Sequence, residues 1–161
     1  MSMLLVEVIV LCSLLFALCF LGTGTDEKNL KYFSSYPDEV QLRLKEMEEY
    51  RGKWKESNFF VAFIANFVVF ALLLLIFGRF IRRDIFLENV VSLLILGEVL
   101  NVFDLVVIDL FWWRNTKRIR FSKIPEKALY QNPKKHVDAF VRGLVMYALV
   151  ALLDGYLLTL F

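Results

Sequence analysis

The sequence predicts an all-α fold: a bundle of four transmembrane helices with one additional amphipathic interfacial helix. Three observations predict it. Apolar residues fill 58% of the 161 positions, above the ~45–50% usual in soluble domains. The charges are segregated, most of them in two blocks at 26–56 and 114–135. Between and around those blocks lie four apolar runs, about 2–21, 58–78, 85–113 and 138–161. Each reaches the ~20 residues with which a helix crosses a bilayer. By length the chain is a single polytopic membrane domain, 1–161.

The first run carries Glu7 as its one charge and has no Lys or Arg before Lys28. A signal peptide has a basic start and a small-x-small cleavage site, so this run reads as a retained span. Glu7 lies about 9 Å along it. It either snorkels to the interface or faces the bundle as a functional acid. Cys12 and Cys19 are seven residues apart, about 10 Å along a helix, too far for a disulfide. Cys19 lacks the small preceding residue of a lipidation site, so both read as buried thiols.

Gly22, Thr23, Gly24 and Thr25 end the first span, and 26–57 holds seven basic and eight acidic residues. Within it Ser35 suits a helix cap, Pro37 a first turn, and Asp38 and Glu39 the positive end of the dipole. Val40, Leu44, Met47 and Trp54 recur at helical spacing, which makes about 36–53 amphipathic. Such a helix lies on the membrane with Trp54 at headgroup depth, or covers other loops. A packed interfacial helix is the expectation.

The second run has only Asn66 as a strongly polar residue over 59–77. Arg79, Arg82, Arg83 and Asp84 follow it, and the short turn makes the second and third spans antiparallel neighbours. The third run organises the rest. It carries Glu88, Glu98, Asn101, Asp104 and Asp109 and stops at Trp112 and Trp113, ahead of Arg114, Lys117, Arg118 and Arg120. A carboxylate inside a span costs ~2.5–3.5 kcal/mol on insertion scales, so neighbouring helices must offset these. Trp112, Trp113 and Trp54 are expected as interface anchors. The loop 114–136 holds eight Lys or Arg against Glu126 alone, and the fourth run carries Arg142 and Asp154.

With four spans the loops 22–57 and 114–136 share one side and hold fifteen Lys or Arg, against three in the second loop. The positive-inside rule then puts both loops in the cytoplasm and both termini outside. The Arg79, Arg82, Arg83 cluster points the other way.

Depth arithmetic at ~1.5 Å per residue pairs Arg142 with Asp109, leaves Asp104 a longer reach, and sets Asn66 level with Asp104. Glu7 and Asp154 come to similar depths from the other face. Glu98 and Asn101 fall near the middle with no cation at their level. On an α-helix Glu98, Asn101 and Asp109 share an arc of roughly 80°, with Asp104 further round. These eight residues form the candidate intramembrane polar site. Its acids donate hydrogen bonds as protonated groups, conduct ions or protons, or meet a partner subunit. His136 is the sole histidine, beside Lys134, Lys135 and Asp138. No Ser-His-Asp spacing, phosphate loop or metal spacing is present, and no cofactor is expected. The net charge of +2 gives no reason to expect nucleic acid. The expected partners are membrane lipid and a membrane protein or second copy of the chain. The basic loop is a topology signal or a grip on headgroups.

The strings GTGT from Gly22, YPDEVQ from Tyr36, FDLVVIDLFWWR from Phe103 and NPKKH from Asn132 resemble those of small, uncharacterised membrane proteins of Firmicutes-type bacteria. That resemblance implies a bacterial plasma membrane and carries no activity. The favoured expectation is a non-enzymatic accessory or structural component of a membrane complex. The alternative is a small ion- or proton-coupled transporter using Glu98, Asp104 and Asp154. A membrane-embedded enzyme, resting on His136 and the acids, comes third.

Overall fold

The computed structural model describes residues 3–54 and 58–160. The expected first residue of the first span, the last of the fourth and the end of the first loop lie outside them. The fold is all-helical: α1 Met3–Leu21, α2 Asp26–Leu30, α3 Asp38–Glu46, α4 Phe59–Ile81, α5 Phe86–Phe103 and α6 Lys134–Leu157. Helix α5 continues as a π-helical segment, Asp104–Trp113. Helices α1, α4, α5 with its extension, and α6 are long and apolar enough to cross a membrane, which is compatible with a multi-pass membrane protein.

These four pack as a bundle in which α5 touches all the others and α6 is its most extensive neighbour. The core holds Leu11, Leu74, Leu93, Leu96, Leu100, Tyr147, Val150 and Ala151. Lipid is as apolar as leucine, so close van der Waals approach rather than hydrophobicity must hold such helices together. The α5–α6 seam shows how it is reached. Gly97 lies under the Tyr147 ring, Gly143 under the Asn101 amide and Gly155 under Val90, each where a Cβ would sit under 3 Å from its neighbour. The α4–α5 turn is short as expected. Buried Asn89 clasps it, accepting from Arg83 N at 2.7 Å and donating to Arg83 O at 2.9 Å.

The two long loops do not lie apart on the membrane. They fold together into a cap with its own core, built from Leu30, Phe33, Tyr36, Val40, Leu44 and Tyr50 of the first loop and Ile119, Phe121, Ile124 and Tyr130 of the third. A buried hydroxyl binds the two, Tyr36 Oη donating to Ile119 O at 2.8 Å, and within the third loop Tyr130 Oη donates to Ile124 O at 2.8 Å. The Asp26 carboxylate accepts from Ser122 N at 2.9 Å and from the Ser122 and Tyr50 hydroxyls at 2.6 Å each. Burial by itself raises the Asp26 carboxyl, but the Ser122 and Tyr50 hydrogen bonds outweigh it and hold the group below the ordinary aspartate value.

The cap is tied to the bundle by Arg118, which donates to Phe20 O at 3.0 Å and Thr23 O at 2.9 Å and lies 3.9 Å over the Phe20 ring. It thus satisfies carbonyls at and just beyond the end of α1. Gly24, at φ +111°, leaves room for that guanidinium; a Cβ there would lie 2.7 Å from it.

Three expectations are corrected. The amphipathic helix expected over 36–53 is helical only over Asp38–Glu46, and turns follow. Glu48 and Glu49 come just where the helix dipole is negative. Its apolar face, Val40 and Leu44, is buried in the cap core rather than against lipid. Trp113, expected as an interface anchor, is buried in the same core against Tyr36. Trp54 stacks on Phe33 at 4.8 Å. Trp112 packs against Phe16 of α1.

Candidate functional site

Where the cap meets the bundle, a cavity of about 460 Å³ is lined by Asp104 and Asp109 of the π-helical segment, by Lys135, His136, Asp138 and Arg142 of α6, and by Tyr32, Ser34 and Ser35 of the cap. The local backbone brings its acids together. An α-helix turns 100° per residue, so residues five apart point about 140° away from each other. A π-helix bonds i to i+5, and residues five apart stack instead. Asp104 and Asp109, five apart within Asp104–Trp113, therefore face one cavity. The α-helical arc expected from the sequence, with Asp104 turned away, is corrected by that change of period.

At the other wall, Pro133 precedes the first turn of α6 and Asn132 accepts from Lys134 N at 3.0 Å. This start sets His136 with Nδ1 2.9 Å from Asp109 Oδ1 and its ring edge-on to Trp113. A carboxylate only accepts, so the pair places the imidazole proton on Nδ1. The expected Arg142–Asp109 pair is not formed. Arg142 comes six residues after His136, about 9 Å further along α6 and 240° round it. Its guanidinium lies instead over the Phe59 ring, 5.6 Å from the centroid.

Two further polar groups of the wall are accounted for. Lys135 pairs with Asp38 at 2.8 Å, and that hydrogen bond holds the Asp38 carboxyl below its usual range. Burial pushes the Tyr32 phenol up, keeping it neutral. Asp104 has no hydrogen bond or ion pair among the described residues, and Arg142 has no carboxylate partner there.

The remaining candidates lie elsewhere. Asn101 Nδ2 donates to Glu98 Oε2 at 3.2 Å and to Phe140 O at 3.3 Å, which gives Glu98 a partner on its own helix. Glu7 and Asp154 are buried, at 4% and 1% exposure, and their carboxylates have no hydrogen-bond partner among the described residues. Glu7 thus faces the bundle rather than snorkelling. Asn66 is exposed on α4 and lines a smaller groove beside Arg142 instead of the cavity.

No group of three or more His, Cys, Asp or Glu among the described residues is placed to hold a metal ion. Tyr32 and Ser34 are wall residues that the sequence reading did not single out, and Ser35 and Lys135 were not read as part of a site. Only the closure of the cap over the bundle puts them there. No family model matches the chain, and neither a curated protein nor a solved structure matches it.

Proposed function

We propose that this protein is a non-enzymatic accessory component of a bacterial plasma-membrane assembly, and that its junction cavity is a binding site. The observation that supports this reading is the separation of its polar groups. Asp104, Asp109 and His136 share a cavity at one end of the bundle. Beyond it the interior is closed by Leu74, Leu93, Leu96, Leu100, Val150 and Ala151, all buried. Glu7 and Asp154 are isolated in that packing. A conduction path needs polar groups or water in series, whereas a binding site needs one walled end. On the positive-inside count the cap lies in the cytoplasm with both termini outside.

Affinity purification in mild detergent tests the proposal: a stoichiometric partner protein is expected. Proteoliposomes carrying a pH-sensitive dye test the transporter alternative. Proton flux abolished by Glu98→Gln or Asp104→Asn, with assembly unchanged, would overturn the accessory reading. One observation favours the enzyme reading, since Nδ1 of His136 faces a carboxylate as in acid–base dyads. An activity lost in a folded His136→Ala protein would establish it.

A further inference from the structure

The junction cavity does not end at Arg142. It adjoins a groove of about 160 Å³ between α4 and α6, and the two voids share Phe59, Ala62, Ala139 and Arg142. The groove continues past Phe63 and Asn66 on one helix and Gly143 and Met146 on the other. Phe59, Ala62, Phe63 and Asn66 follow i, i+3, i+4, i+7 spacing, as do Ala139, Arg142, Gly143 and Met146. Each set is therefore one stripe, and the groove runs along both helices for about 10 Å. Its small members, Ala62 and Ala139, leave the width. The result is a polar chamber at the capped end of the bundle, adjoining a narrower, largely apolar groove beside the helices.

The chamber's charges select an occupant. Lys135 is engaged by Asp38, and His136 by Asp109. Asp138 is exposed at the rim. What remains, among the described residues, is Asp104, an acid inside with no hydrogen bond or ion pair, and Arg142, a cation at the mouth with no carboxylate partner. We propose that cavity and groove together hold one glycerophospholipid with a primary-ammonium headgroup. The ammonium donates to Asp104, the phosphate meets Arg142, and an acyl chain lies in the α4–α6 groove. Asn66 is placed to donate to an ester carbonyl. An anionic headgroup would satisfy Arg142 and leave Asp104 facing a negative charge. A choline headgroup has the positive charge but no N–H to give a carboxylate. The inference rests on the reading of the cavity as a binding site and names its ligand.

The test is native mass spectrometry of the delipidated protein against an equimolar mixture of phosphatidylethanolamine, phosphatidylcholine and phosphatidylglycerol with identical chains. One bound phosphatidylethanolamine is expected, favoured about tenfold over either competitor, as befits one charge-assisted hydrogen bond. Asp104→Asn should erase the preference over phosphatidylcholine, while Arg142→Gln should weaken all three lipids. Equal binding, a preference for phosphatidylglycerol, or a preference untouched by Asp104→Asn would overturn the proposal. Stepwise N-methylation of the headgroup, measured on the unaltered protein, guards against a variant that fails to fold: binding should drop at each step, and a flat series refutes the assignment. A flat series in a preparation that still brings down a stoichiometric partner removes the lipid alone and leaves the accessory reading standing. Proton flux abolished by Asp104→Asn would instead remove the reading itself.

Discussion

Replacing Asp26 should loosen the cap without loosening the bundle. Its carboxylate is a three-bond knot between the first and third loops: Oδ1 accepts from Ser122 N, and Oδ2 accepts from the Ser122 and Tyr50 hydroxyls. Hydrogen bonds to a charged group contribute ~1.5–3 kcal/mol each. These three share one half-buried carboxylate, so their sum overstates the loss. About 2–3 kcal/mol is expected for Asp26→Ala, or a roughly 30–150-fold rise in the population of the opened cap. Asp26→Asn keeps one acceptor and should lose about half as much. Hydrogen exchange of the purified protein reads this directly. Amides of Leu30, Phe33, Val40, Ile119 and Phe121 should exchange faster in proportion, while those of α5 around Leu96 stay put. The carboxyl is held below its ordinary value in the folded protein, so its contribution is full above the unfolded pKa of about 4. That contribution falls away as pH drops through the folded value. Protection of the cap amides, taken relative to their intrinsic exchange rates, should therefore fall in acid more steeply in the unaltered protein than in Asp26→Asn. Equal acceleration in cap and bundle, or none in either, would refute the account of the cap as a separately held unit.

The bundle and its turns yield further tests. Asn89→Ala leaves Arg83 N and O without their side-chain partners, and a loss of about 1–3 kcal/mol should lower the melting temperature in detergent. Gly97→Leu drives a side chain into the Tyr147 ring, where even a Cβ would lie 2.7 Å from Cδ1. Overpacking of that kind costs about 1–3 kcal/mol, and the melt should show it where Val99→Leu on the exposed face does not. His136→Ala takes the partner from Asp109, and a destabilisation of about 1–3 kcal/mol is expected by the same melt, reduced in His136→Asn. Cysteines at Lys123 in the cap and Arg82 in the opposite turn should label from opposite sides of intact cells, only Arg82→Cys reacting with an impermeant maleimide.

The four long helices were legible because each is a run of side chains that water rejects, and a bilayer fixes the length such a run needs. The bundle-facing acids were legible as anomalies for the same reason. Neither argument reaches the cap. Tyr36, Phe121, Ile124 and Tyr130 are scattered through charged segments with no sustained period, and only their meeting makes a core. Amphipathicity located α3 but does not say what covers an apolar face, and here a second loop does so. The partner of Asp109 turned on one turn of helix. Counting depth along straight α-helices picked Arg142 and did not consider His136, which is buried in the first turn of α6. The π-helical segment decides otherwise. It adds a residue's worth of slack per turn, brings Asp104 round beside Asp109, and sets both opposite the first turn of α6. A widened turn bonds less well than an α-turn and persists only where packing over-determines it. Here Trp113, the last residue of the segment, is locked into the cap core, and Ile108 at its middle is buried, at 5% and 1% exposure, so the C-terminal half of the segment is held. The cap thus does more than cover the bundle: by gripping Trp113 it helps hold the helix phase on which the pairing of the two acids depends. Releasing that grip with Trp113→Ala should disperse the cavity's acids before it unfolds the spans.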